Sequence, residues 1–250
     1  MRNGSNRWMK FTLLISVSAA SFAMLASPVK SSVGVRNLFL GGLPVPSSGL
    51  LEWVGAQNAN QWVQTGWKMT ETMGYEIVFE TESIGKTYQF HVCGGYAWSG
   101  SNANTKYQWS NSGRNLWIYP YAKNVRVDID LGNKTPQRVH VYYDPADGYY
   151  VNDSLVWEGP LVGVTGTRLP YMTLFGLGGE NINSVNPDTG YANGGKQKIC
   201  YFRMWDNGAD IMRLLPYMLD DGTACFYDEV SGEFIGSSGS EELVAGPLKR

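Results

Sequence analysis

Apolar and polar residues alternate with a period of two over much of the chain. In "GYEIVFETE" (74–82), Tyr75, Ile77 and Phe79 fall on one side and Glu76, Glu80 and Glu82 on the other. In "NVRVDIDL" (124–131), Val125, Val127, Ile129 and Leu131 are set against Arg126, Asp128 and Asp130. "QRVHVYY" (137–143) alternates likewise, and "KICYFRMW" (198–205) is a further run, stopped by the turn residues "DNG" (206–208). Successive strand residues point to opposite faces, so these runs predict strands with one buried and one solvated side. "YYVNDSLVW" (149–157) reads as two short strands joined at Asn152-Asp153, both residues that tolerate positive φ. No long helical pattern follows residue 28. Many short strands with regular turns predict an all-β sandwich or barrel.

"FYDEVSGEF" (226–234) gathers three carboxylates, Asp228, Glu229 and Glu233, in a chain with only two histidines. Acid–base chemistry is one reading of such a cluster. The pattern favours another. Phe226-Tyr227 ends a strand, Val230, Ser231 and Gly232 turn, and Glu233-Phe234-Ile235 starts the next strand. Gly232 supplies positive φ without steric cost. The carboxylates are then the polar members of a hairpin.

Before the alternating region, Arg2, Arg7 and Lys10 precede the apolar run "FTLLISVSAASFAML" (11–25) and the small residues up to Ser27. Charged start, short apolar run and small-residue zone make residues 1–26 a predicted secretory signal peptide. A spanning helix needs roughly 20 predominantly apolar residues, so no transmembrane anchor is expected after cleavage. The expected location is outside the cytoplasm: periplasmic, cell-surface or secreted. Residues 27–49 have linker composition, and 50–247 are the expected domain. With Arg2, Arg7 and Lys10 removed, 17 basic residues face 22 acidic ones. That balance argues against nucleic acid as a partner. The cysteines Cys93, Cys200 and Cys225 form no disulfide framework and no metal spacing, although one Cys200–Cys225 bridge is conceivable in an exported protein.

The block "ICYFRMWDNGADIMRLLPYMLDDGTACFYDEVSGEFIGSSGSEELVAGP" (199–247) resembles the C-terminal strands of bacterial laminin-G-like, concanavalin A-like domains. "LLEWVGAQNANQWVQTGW" (50–67) is similar to their opening strands, and "VHVYYDPADGYYVNDSLVWEG" (139–159) to their central hairpin, with Asp153 where glycine is commoner. The resemblance implies a two-sheet antiparallel jelly-roll sandwich, concanavalin A-like. A fold of this kind serves enzymes, lectins and inert spacers, so function must be argued from residues.

Laminarinase-type hydrolases of that fold carry three acids on one strand face, Glu-x-Asp-x-Glu. Here Glu76 and Glu80 have the spacing, but Val78 stands in the middle acid's place. A solvent-facing acidic strand edge is the favoured reading of them. Jelly-roll rims also hold calcium through Asp and Asn oxygens, which makes Asp144 and Asp147 of "DPADG" (144–148) metal candidates beside their ordinary role as turn residues. The "NPDTG" stretch (186–190) is a similar turn. His91 and His140 sit within alternating strands and read as packed or surface residues.

The strongest binding feature is "GGYAWSGSNANTKYQWSNSGR" (94–114). Sugars present apolar C–H faces and hydroxyl rims, so a site for them wants aromatic rings beside polar donors. Tyr96, Trp98 and Trp109 with Asn102 and Asn104 are the candidate ligand-binding residues. Trp98, between Gly95 and Gly100 where no alternation is sustained, reads as a loop residue. Tyr107 and Trp109 fit one buried strand face equally well. The expected function is an exported, non-catalytic module that binds a glycan or a cell-surface protein. The alternatives are a structural or assembly module without a small ligand, and a glycoside hydrolase using Glu76 and Glu80.

Overall fold

A computed structural model describes residues 46 and 48–250, apart from 59, 82–88, 100–102, 113–114, 119–126, 131–136, 160–169, 180–184 and 188–196. The expected signal peptide lies outside the described residues, as do Glu82 and nearly all of the expected linker. Among the described residues every regular element is a strand. The strands form two sheets, antiparallel except for one parallel pairing, Gly178 with Gly95.

The large sheet is built on β3 (Met73–Thr81), β8 (Gln137–Asp144) and β14 (Gln197–Asp206). Beyond β8 lie β9 (Gly148–Val151) and β10 (Ser154–Trp157); beyond β14 lie β15 (Ala209–Met218), β16 (Ala224–Asp228) and β17 (Phe234–Ile235). The alternation read from the sequence sets their buried face. Tyr75, Ile77 and Phe79 of β3 and Val139, Val141 and Tyr143 of β8 are fully buried. Burying one such side chain stabilises the fold by roughly 1.5–3 kcal/mol. Tyr143 and Tyr149 stack at 4.3 Å, and Tyr75 donates its hydroxyl hydrogen to Tyr149 at 3.2 Å, so the buried phenols are not orphaned.

The expected turns form. Asn152 (φ 47°) and Asp153 (φ 66°) join β9 to β10, and Asn207 (φ 48°) and Gly208 (φ 80°) join β14 to β15. Paired positive φ matches the twist of the flanking strands, which is why Asn, Asp and Gly occupy these sites. The first and last described strands meet on the same sheet. β1 (Val54–Ala56) pairs with both β14 and β18 (Val244–Ala245), and Leu51 bridges to Leu248.

The small sheet centres on a long hairpin, β4 (Gln89–Ser99) and β5 (Ala103–Ser112), continued by β6 (Asn115–Ile118) and β7 (Val127–Asp130). On its other side are β2 (Val63–Lys68), β11 (Tyr171–Leu174), β12 (Gly176–Gly178) and β13 (Val185–Pro187). Val92, Cys93, Met172 and Leu174 from this sheet join the large sheet's residues in one buried core. The result is a β-sandwich. All three cysteines are free and buried, so the conceivable Cys200–Cys225 bridge is not formed.

One expectation is corrected here. Trp98 is a strand residue of β4, paired with Asn104, and not part of a loop. Alternation fails in this stretch because Gly94 and Gly95 occupy buried strand positions where an apolar side chain would otherwise signal the core. Gly95 is required there: a Cβ would lie 2.8 Å from the carbonyl oxygen of Tyr171.

Candidate functional site

The β4–β5 ladder sorts the predicted binding residues. Trp98 pairs with Asn104 and Tyr96 with Lys106, whereas Trp109 pairs with Cys93 and Tyr107 with Gly95. Directly opposed residues of an antiparallel pair share a face, and the face alternates along each strand. Tyr96, Trp98 and Asn104 therefore occupy positions of one parity in the ladder, and their side chains lie outside the described residues. Trp109 is in register with Cys93, a residue of the core, and its side chain too lies outside the described residues. Asn102 lies outside the described residues.

The carboxylate candidates have structural partners. Asp144 accepts from the Trp205 indole N–H at 2.8 Å on one oxygen and from the Ala146 amide at 2.9 Å on the other. Its carbonyl accepts the Asp147 amide at 3.1 Å, closing the turn, while the Asp147 side chain is exposed. Among the described residues no three His, Cys, Asp or Glu side chains converge at metal-binding spacing. Asp228, the carboxylate of "FYDEVSGEF", is 3% exposed. It accepts from the amides of Arg213 (2.8 Å), Val230 (3.1 Å) and Ser231 (3.3 Å) and from the Ser231 hydroxyl (2.7 Å). It is an anchor for the turn, in which Gly232 takes φ 77°.

Glu76 faces away from the core. Its carboxylate meets the His140 ring nitrogen Nε2 at 2.8 Å, and the other ring nitrogen lies 3.9 Å from Asp153. Glu80 is in register with Arg138 on the neighbouring strand. A retaining hydrolase needs two carboxyl groups about 5–5.5 Å apart with one free to attack. Glu76 instead has a histidine across its carboxylate.

Around Glu76 the outer face of the large sheet holds residues that the sequence did not single out. Tyr142 stacks on Trp205 at 5.4 Å and 29° and meets Tyr150 edge-on at 6.0 Å. The Arg203 guanidinium lies 5.0 Å from the Trp205 ring centre and holds Asp210 at 2.6 Å. Arg213 bonds the other Asp210 oxygen and reaches Glu229 at 3.6 Å. Burial pushes the Tyr142 phenol up to about 12, with Asp144 and Asp147 adding to the rise, and burial pushes Tyr201 higher still. Both are neutral hydroxyls at any physiological pH. Tyr-Tyr pairs were the available signal. In Tyr142-Tyr143 and Tyr149-Tyr150 one ring of each pair must leave the core, since strand neighbours face opposite ways.

No family model, curated protein or solved structure matches this chain.

Proposed function

We propose that this protein is an exported, non-catalytic jelly-roll module that binds a glycan, through the β4–β5 hairpin, at a cell surface or in the surrounding medium. The observation that supports the reading is Tyr96 and Trp98 at alternate positions of β4, with Asn104 in register with Trp98. Two aromatic residues at alternate positions beside an amide combine an apolar platform with a hydrogen-bonding rim, the pairing a sugar ring requires. The jelly-roll reading rests on the resemblance in sequence and is compatible with the two-sheet sandwich. The non-catalytic reading is supported by the carboxylates, since Glu76, Asp144 and Asp228 are all engaged by neighbouring groups. A glycan array probed with the full chain tests the proposal. Binding to a defined class of glycan is the expected result; a protein that instead cleaves a β-glucan, and loses cleavage in Glu80→Gln, overturns it.

A further inference from the structure

On its β15–β17 side the large sheet carries a small apolar cluster separate from the core. Tyr217 of β15 with Cys225 and Tyr227 of β16 form it, and Leu50 and Leu219 pack against them. The alternate residues of β16, Ala224 and Phe226, belong to the core, so Cys225 and Tyr227 point to the opposite face. An outward strand face is ordinarily half-solvated, yet Tyr217 is 6% and Tyr227 4% exposed. Phe234 of β17 supplies part of their cover. Its ring centre lies 5.0 Å from that of Tyr217 and 5.3 Å from that of Tyr227, and it is itself 45% exposed. The entering chain reaches the same cluster. Met218 donates its amide to the Gly49 carbonyl at 2.8 Å, and the Tyr217 hydroxyl donates to the carbonyl of Ser48. Gly49 takes φ 104°, and a Cβ there would lie 2.7 Å from the Tyr217 ring, so bare backbone rests on the ring. Two residues before Ser48, Pro46 is half-buried.

We propose that Leu43-Pro44-Val45-Pro46, in the expected linker, docks as a strap over Tyr217, Tyr227 and Phe234. Proline-rich segments dock on aromatic grooves because their extended helix is already ordered and loses little entropy on binding. Pro44 and Pro46 alternate here with Leu43 and Val45, and no charged residue occurs between Arg36 and Glu52. The length fits. Four residues in that conformation span about 12 Å, and the three ring centres lie within 6.4 Å of one another. The covalent connection selects the occupant. Ser48 is already bonded to Tyr217, so the four residues just before it are held beside the rings at an effective concentration on the order of millimolar. A second copy or another protein would have to displace them. The folded domain then begins at Leu43, upstream of its first strand, and this strap is independent of the glycan site proposed on the hairpin.

Two measurements on the full chain test the strap. In the isotope-labelled, unaltered protein, nuclear Overhauser contacts should run from the Phe234 ring to Pro44, Val45 or Pro46, and should vanish in Phe234→Leu. Iodoacetamide labelling of each cysteine is then followed by mass spectrometry in a variant combining Leu43→Ser, Pro44→Ser, Val45→Ser and Pro46→Ser. Cys225 lies within the cluster and is 1% exposed, whereas Cys93 belongs to the core. Loss of the strap should speed labelling of Cys225 roughly tenfold and leave Cys93 unchanged. Val33→Ser with Val35→Ser, earlier in the same linker, should alter neither. Absence of any contact to Phe234 overturns the proposal whatever the labelling shows. An unchanged Cys225 rate in the four-serine variant overturns it too, as does an equal rise in the Val33/Val35 control. A rise shared equally by Cys93 reports general loosening, and the contacts in the unaltered chain then decide alone. Contacts that disappear on dilution assign the cover to a second copy and overturn the strap.

Discussion

Replacing Asp228 by alanine separates a structural carboxylate from a chemical one. The side chain is buried and accepts four hydrogen bonds, three from backbone amides and one from the Ser231 hydroxyl. A hydrogen bond to a charged group contributes about 1.5–3 kcal/mol net, and a buried donor left unpaired costs about 1–3 kcal/mol. These contributions do not add in full here. Val230 and Ser231 are exposed, so water replaces the carboxylate at their amides. The Arg213 amide is less accessible, and the turn loses its anchor. The expected destabilisation is about 3 kcal/mol in total. For a domain of this size that lowers Tm by about 6–12 °C. Urea denaturation followed by tryptophan fluorescence measures it, with Glu233→Ala as the control, since Glu233 is exposed and its replacement should change stability by no more than about 0.5 kcal/mol. A loss below about 1 kcal/mol in Asp228→Ala, or one equal to the control, would refute the anchoring role.

Two further outcomes follow from the buried titratable groups. Burial pushes the thiols of Cys200 and Cys225 up to about 11 and the Tyr142 phenol to about 12, and it raises Cys93 and Tyr201 further. Groups whose folded pKa is raised stabilise the fold fully below their unfolded pKa and lose that contribution as pH rises through the folded value. Tm should therefore hold up to about pH 9 and fall between about pH 9 and 12; an unchanged Tm at pH 11 would contradict the burial. With Cys93, Cys200 and Cys225 free and buried, Ellman's reagent should react slowly with native protein and titrate three thiols after denaturation, whereas rapid native labelling or a count of one would be inconsistent with this packing.

The large sheet was legible in the sequence because its strands bury one face only. Tyr75, Ile77 and Phe79, or Val139 and Val141, alternate with polar residues, and Asn152-Asp153 and Asn207-Gly208 announce their turns. The β4–β5 hairpin was half legible. Its aromatic residues drew attention, but Gly94 and Gly95 erase the alternation that would have marked a strand, and at Gly95 the β11 backbone fills the space a side chain would need. Strands as short as β12 and β13 carry too few residues to show a period at all. Between β11 and β12, Phe175 turns the chain at φ 60°, a conformation its sequence gives no reason to expect, and it is held there by burial and by the hydrogen bond its amide donates to the Val92 carbonyl. The outer face of the large sheet was hidden for a different reason. Alternation says which residues leave the core, but only the cross-strand register brings Tyr142, Glu76 and Arg203, some 130 positions apart in sequence, into one row.

The central claim is that the hairpin face of β4 and β5 binds a glycan through Trp98. Trp98→Ala tests it directly, with binding to laminarin, galactomannan and xyloglucan measured beside thermal unfolding of the same sample. An aromatic anchor at a binding site contributes about 2 kcal/mol or more, so affinity for the glycan should fall at least tenfold. Tm should stay nearly unchanged, as expected of a ring that contacts ligand and not the core. A tryptophan that fills the interior would instead cost about 3–5 kcal/mol of stability through the cavity it leaves. A large drop in Tm with glycan binding untouched would contradict the account.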